Sequence, residues 1–185
     1  KLGLGYNHFT SDITKKENFL IDDVIILIGM PGIGKSTYGE YLAKEFCMRW
    51  IDIDYEILKI INCTIHEYIE NHGWDKFRQI EYEVFSQVLK KKDIIISTGG
   101  GIIEYDKSRN LLKKFQYTIL LENPNIKEFS KKNIYNMKYE DLWKKRKNMY
   151  LECSNYQYCV NDKIYFKKFI YKIINKFKVD VNSTF

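Results

Sequence analysis

The stretch VIILIGMPGIGKST, residues 24–37, decides the fold. Its first half, Val24 to Ile28, is an unbroken apolar run. Such a run suits a strand buried on both faces, and therefore an inner strand of a parallel sheet. Its second half, Gly29 to Ser36, matches the pattern G-x-x-x-x-G-K-[ST] in full. The pattern follows a strand and opens a helix, which is the context in which it makes a phosphate-binding loop.

The chemistry of that loop is direct. Its glycines let the backbone turn its N–H groups inward into a nest for phosphate oxygens, and the helix N-terminus adds partial positive charge. Lys35 has the reach for β- and γ-phosphates, and the Ser36 hydroxyl is a Mg²⁺ ligand by type. The nucleotide-binding set is therefore Gly32, Ile33, Gly34, Lys35, Ser36 and Thr37. A Gly-rich turn with a chance Lys is the bland alternative; the strand before it and the helix after it argue against that.

Outward from the loop, the spacing predicts alternating helices and strands. Ser36 to Phe46 reads as a helix with Tyr38, Leu42, Ala43 and Phe46 as its core stripe. Arg49–Ile53 reads as a strand and Tyr55–Asn62 as a helix. Thr64 and Glu67 form a capping box opening a short helix that Gly73 ends. A longer helix spans Lys76–Lys91, a strand Ile94–Ser97, a helix Lys107–Lys114 and a strand Tyr117–Leu121. Pro124 and the polar residues 125–138 mark an insertion. A helix over Tyr139–Glu152, a strand over Tyr156–Val160 and a helix over Ile164–Phe177 complete the chain. The fold class is α/β with a parallel sheet. The expected organisation is a linker or N-terminal extension at 1–22, one domain at 23–178 and a tail at 179–185.

Composition narrows the classes. The chain has 185 residues, 45% hydrophobic and 29% charged, which excludes a disordered or collagen-like protein. No apolar run approaches the ~20 residues that cross a bilayer, and no signal-peptide core stands at the N-terminus. That terminus lacks Met and reads as part of something longer. The net charge is +6, but its lysines are scattered rather than striped. A solvated face is expected, with no nucleic-acid partner and no membrane partner, and the mild positive field favours anionic substrates. The cysteines Cys47, Cys63, Cys153 and Cys159 form no C-x-x-C pair and lack zinc-finger spacing. They read as reduced, buried apolar thiols in a cytoplasmic protein.

Three further groups carry chemistry. Asp52 and Asp54, two apart at the end of a strand, would share a face at the carboxyl edge of the sheet. One carboxylate there suits a metal-bound water and the other a proton; alternatively both cap the following helix. Arg78 and Glu81 are i, i+3 neighbours, so Glu81 can aim the guanidinium for a bidentate grip on a carboxylate; alone, the pair would be a surface ion pair. Gly99, Gly100 and Gly101 allow a ligand to approach the backbone closely, where a single Gly would suffice for a turn.

The ordered set GMPGIGKST, Asp52-Ile-Asp54, Phe77-Arg78-x-x-Glu81 and Thr98-Gly-Gly-Gly101, with Arg146-x-x-x-Tyr150 near the end, resembles shikimate kinase. The resemblance implies a P-loop NTPase of the nucleoside-monophosphate-kinase type, with a five-stranded parallel sheet flanked by helices and a closing lid. It implies a cytoplasmic transferase of the shikimate pathway of aromatic amino acid biosynthesis, using ATP and Mg²⁺ to phosphorylate the 3-hydroxyl of shikimate. Lys35 would neutralise the transferring phosphoryl group, and Ser36 and Asp52 would serve the metal. Asp54 would bind substrate hydroxyls and act as base; Arg78 and Arg146 would grip the substrate carboxylate, with Gly99, Gly100 and Gly101 against the ring. Neighbouring domains of the same pathway on one polypeptide are a further implication. The family's lid carries an Arg, whereas this chain has none between Pro124 and Tyr139, where its cations are lysines, Lys131 and Lys132 among them, and the segment is short for such a lid. Two alternatives stay open: a degenerate kinase-like binding or scaffolding domain, and another small-molecule kinase acting on gluconate or a nucleoside monophosphate.

Overall fold

The computed structural model describes residues 24–123, 133–134 and 137–182. The expected linker at 1–22 and most of the expected lid, including Lys131 and Lys132, lie outside them.

Five strands, β1 (Val24–Gly29), β2 (Arg49–Asp52), β3 (Ile94–Ser97), β4 (Tyr117–Glu122) and β7 (Tyr156–Cys159), make one sheet in the order β2-β3-β1-β4-β7. Every pairing in it is parallel. Ile26 stands opposite Ile96 on one side and Thr118 on the other. A two-stranded antiparallel ribbon, β5 (Asn133–Ile134) with β6 (Met137–Lys138), lies just before the helix that follows the insertion. The helices are α1 (Lys35–Phe46), α2 (Ile53–Ile61), α3 (Ile65–Val88), α4 (Asp106–Leu112), α5 (Tyr139–Cys153) and α6 (Lys163–Asn182), with a 3₁₀ turn at Ile102–Glu104.

The pleat sends alternate β1 side chains to opposite faces, so the sheet carries two cores. Ile26 and Ile28 pack with Ile57, Phe85, Leu142 and Tyr150. Ile25 and Leu27 pack with Leu42, Phe166, Ile170 and Ile174 on the other face. Ile25, Ile26, Leu27 and Ile28 are all fully buried, as the apolar run requires. With crossovers on both faces, the carboxyl ends of the strands converge on one edge, where the loops after β1, β2 and β3 meet.

The structure departs from the sequence reading in several places. β2 stops at Asp52, and Ile53 already belongs to α2, so Asp54 lies in a first helical turn rather than on the strand. Gly73 does end a helical segment, with φ 81°, but a second segment continues directly and the two form one broken helix. The 3₁₀ turn after the glycines was not anticipated. α6 runs to Asn182, past the expected end at Phe177. Of the four free cysteines only Cys153, which packs into the first core, is buried; Cys47 and Cys159 are exposed and Cys63 is half-buried, outside both cores.

Helix α1 lies close on the sheet at Gly39. A β-carbon there would stand 2.6 Å from Ser97 Oγ and 2.8 Å from Trp50 Nε1. Ser97 Oγ accepts from Trp50 Nε1 (3.0 Å) and donates to the Lys35 carbonyl (2.9 Å), tying β2, β3 and the start of α1 together. Gly to Ala inside a helix ordinarily stabilises by about 1 kcal/mol. Here Gly39→Ala should instead destabilise by about 1–3 kcal/mol through overpacking, measured by urea denaturation.

Candidate active site

The loop between β1 and α1 closes on itself. Gly34, the residue before α1, is left-handed (φ 102°) and has no side chain to cap the helix. The first-turn N–H groups of α1 are thus left to whatever anion the loop holds. Lys35 is buried, and its Nζ donates to the Gly29 and Met30 carbonyls, each at 2.9 Å. Burial pushes the ammonium down to about 8, against the pull of Asp54 and Asp52.

Asp52 is the cap of the two aspartates, and its other oxygen meets the P-loop. Its Oδ2 accepts from Ser36 Oγ at 2.5 Å, and its Oδ1 accepts the Tyr55 N–H as the N-cap of α2. One carboxylate therefore fixes α2 and stands beside the P-loop hydroxyl. Asp54 is no cap. Burial and then the Asp52 charge raise its pKa, opposed by Lys35 and Arg78. A β-carbon on Gly99 would come within 2.8 Å of Asp54 Oδ1, so Asp54 lies directly against the glycine run.

Arg78 and Arg146 meet, although 68 residues separate their numbers. Both are buried. Arg78 Nη1 donates to Glu81 Oε2 at 2.6 Å and Nη2 to Glu104 Oε2 at 2.9 Å. Arg146 approaches the same carboxylate, with Nη2 3.1 Å from Glu104 Oε2 and Nε 3.2 Å from Oε1. Burial would raise the Glu104 pKa, but the Arg146 and Arg78 guanidiniums outweigh it and hold the carboxyl at about 2. Glu81 is fully enclosed, and burial lifts it to about 7 against Arg78. Gly101 is a glycine because a β-carbon there would collide with the Arg78 guanidinium. The Tyr150 hydroxyl, on the same helix as Arg146, donates to the Gly100 carbonyl, so α5 anchors the glycine run as well as carrying Arg146. A cavity of about 470 Å³ opens at the two arginines, lined also by Trp74, Glu104, Leu142 and Met149.

The sequence-predicted residues are thus brought to one edge of the sheet. Lys35, Ser36, Asp52 and Asp54 gather at the P-loop, and Asp54, Glu81, Gly99, Gly101 and Arg78 form the adjoining wall. Gly32, Ser36 and Thr37 are exposed and Ile33 is buried. Glu104 is the participant that sequence reasoning missed. The only sign of it was an acid three residues beyond the glycines.

The profile of the family described as Shikimate kinase matches residues 31–178. The chain belongs to the shikimate kinase family. The shikimate kinase of Staphylococcus haemolyticus is 41% identical over 128 residues, which cover 61% of this chain and 74% of that protein. Pentafunctional AROM polypeptide 2 of Lodderomyces elongisporus is 34% identical over 174 residues, 82% of this chain; the chain spans only 11% of that polypeptide. Among solved structures, a shikimate kinase from Acinetobacter baumannii in complex with shikimate superposes with a TM-score of 0.74 at 27% identity, covering 84% of this chain and 94% of that one. The matched residues 31–178 include every side chain that the fold gathers at this edge.

The buried Glu81 makes stability depend on pH. The folded chain holds its proton up to about pH 7, whereas the unfolded chain releases it near 4.3. Its stabilising contribution is therefore full below that ordinary value and is lost as pH rises through 7. Glu81→Gln keeps an acceptor for Arg78 but cannot ionise. Melting temperatures at pH 5, 6, 7 and 8 should show the variant gaining on the parent as pH rises; a constant difference would mean that Glu81 is ionised throughout.

Proposed function

We propose that this chain transfers the γ-phosphoryl group of ATP to the 3-hydroxyl of shikimate. The observation that carries the reading is the convergence of two buried guanidiniums, Arg78 and Arg146, on one carboxylate beside the P-loop. A generic ATP site does not need such a pair. A hydroxylated acid does, since planar guanidiniums supply paired donors that lysine cannot.

On this reading the P-loop amides from Gly32 to Thr37 cradle the phosphates, and Lys35 places its charge where negative charge builds up during transfer. Asp54 faces the substrate hydroxyl and takes its proton. Its raised pKa suits a base better than an ordinary aspartate would. Arg78, Arg146 and the glycine run hold the acid end of the ring, which fixes the hydroxyl relative to Asp54. Ser36 and Asp52 present two oxygens side by side. That pair fits Mg²⁺, which keeps several waters and takes phosphate oxygens rather than a full protein cage. When bound, the ion neutralises phosphate charge. The likeness to pentafunctional polypeptides supports a place beside further catalytic domains on one chain.

ADP release in a coupled assay should require shikimate; release that ignores shikimate would overturn the reading. Asp54→Asn keeps shape and hydrogen bonding but cannot take a proton, so kcat should fall about a hundredfold or more with the KM for ATP little changed. Arg78→Lys and Arg146→Lys keep charge and lose the fork. Each should weaken shikimate roughly ten- to a hundredfold by titration calorimetry and leave ATP affinity near the parent value.

A further inference from the structure

The two arginines are already engaged by the protein's own carboxylate. Glu104 lies on the 3₁₀ turn after the glycine run, and its acid group faces the cavity that Arg78 and Arg146 line. It takes Nε and Nη2 of Arg146, a side-on fork, while Oε2 also takes Nη2 of Arg78. That is the geometry in which an external carboxylate would be held. Arg146 Nη1 is left buried without a hydrogen-bond partner among the described residues.

Charge counting sharpens the point. Arg78 and Arg146 bring two positive charges, and Glu81 and Glu104 two negative ones when ionised. With Glu104 in place an added anion finds one of the two guanidinium charges already neutralised, and once Glu81 ionises, above about pH 7, it finds none to spare. Among the described residues a cation stands at the rim: Lys145, a largely exposed side chain whose Nζ is 3.3 Å from Glu104 Oε1. A carboxylate released by the arginines therefore has a solvent-side partner to turn to. Glu104 is also less enclosed than the groups it binds: its side chain is 21% exposed against 8% for Arg78 and 2% for Arg146. Of the cluster's members, it is the one with room to move.

We infer that Glu104 is an internal carboxylate that occupies the Arg78–Arg146 fork in the empty site and must yield it to the substrate's own carboxylate, thereby setting acid affinity. The inference rests on the shikimate reading above. Glu104 takes no part in phosphoryl transfer. It holds the two guanidiniums apart from each other's charge until the acid arrives, and the acid is bound by exchange rather than by simple addition. A neutral analogue gains nothing from that exchange.

The test compares the parent with Glu104→Gln, using shikimate and its methyl ester. Gln keeps the size and an acceptor oxygen but leaves net positive charge on the fork. Its Kd and KM for shikimate should fall roughly five- to tenfold, the loss of one competing charge-assisted contact. Its KM for the ester and for ATP should stay at the parent value. Glu104→Ala should shift shikimate affinity in the same direction. If the parent phosphorylates shikimate and Glu104→Gln binds it no better or more weakly, the inference fails while the proposed function stands. A variant that loses ATP affinity as well marks Glu104 as a structural strut and also overturns it. A parent that neither binds nor phosphorylates shikimate overturns the proposed function, and this inference with it.

Discussion

Burial of β1 on both faces is the constraint from which the rest of the architecture follows. A strand whose side chains from Ile25 to Ile28 are all enclosed needs apolar cover above and below. The chain meets that need with helical crossovers on both faces, so that α2, α3, α4 and α5 supply one core and α1 and α6 the other. Once the strands run parallel, their carboxyl ends share an edge, and the loops leaving β1, β2 and β3 have nowhere else to meet. The site is thus a by-product of how the sheet is covered. Its parts come from segments far apart in sequence because parallel neighbours are always far apart in sequence.

At that edge the chain concentrates charge that a core would not tolerate unpaired. It does so in two adjoining groups. Around the P-loop, Lys35 satisfies itself on loop carbonyls with Asp52 and Asp54 nearby. Beside the cavity, two guanidiniums share two acids. Gly99 and Gly101 run between these groups because any side chain there would strike Asp54, Glu81 or Arg78. The glycines therefore serve the protein's own ion network before they serve a ligand, which explains why more than one is needed.

Much of this was legible in the sequence. The apolar run with its loop, the capping box at Thr64, the break at Gly73 and the order of elements could be read because each carries a local signal. What escaped was non-local or sat on a boundary. The end of β2 could not be read because Asp52 caps a helix that begins one residue later, so strand alternation and first-turn geometry were both reasonable readings of Asp52 and Asp54. Glu104 escaped because it belongs to a three-residue 3₁₀ turn without periodicity, and its partners are 26 and 42 residues away. Arg78 was legible as a carboxylate-gripping residue only together with the other motifs, because the i, i+3 pair with Glu81 alone is equally a surface ion pair and its burial comes from tertiary packing. The exposed Cys47 and Cys159 show the converse: residue type suggested burial, and their place outside both cores overruled it.

The placing of α6 has a consequence for the order in which the chain assembles as it leaves the ribosome. Phe166, Ile170, Ile173 and Ile174 are buried members of the second core, and Tyr38 near the P-loop packs edge-on against Phe166. β7, the edge strand beside β4, immediately precedes that helix. The face of the sheet formed by α2, α3, α5 and their strands has nearly all of its apolar partners once α5 has emerged. The opposite face does not, and Ile25, Leu27 and Ile119 lack part of their cover until residues near 174 are synthesised. At ~5–20 residues per second this interval lasts a second or more. One side of a single sheet is thus sealed before the other, and the phosphate loop, which leans on the later side, is among the last parts to be braced.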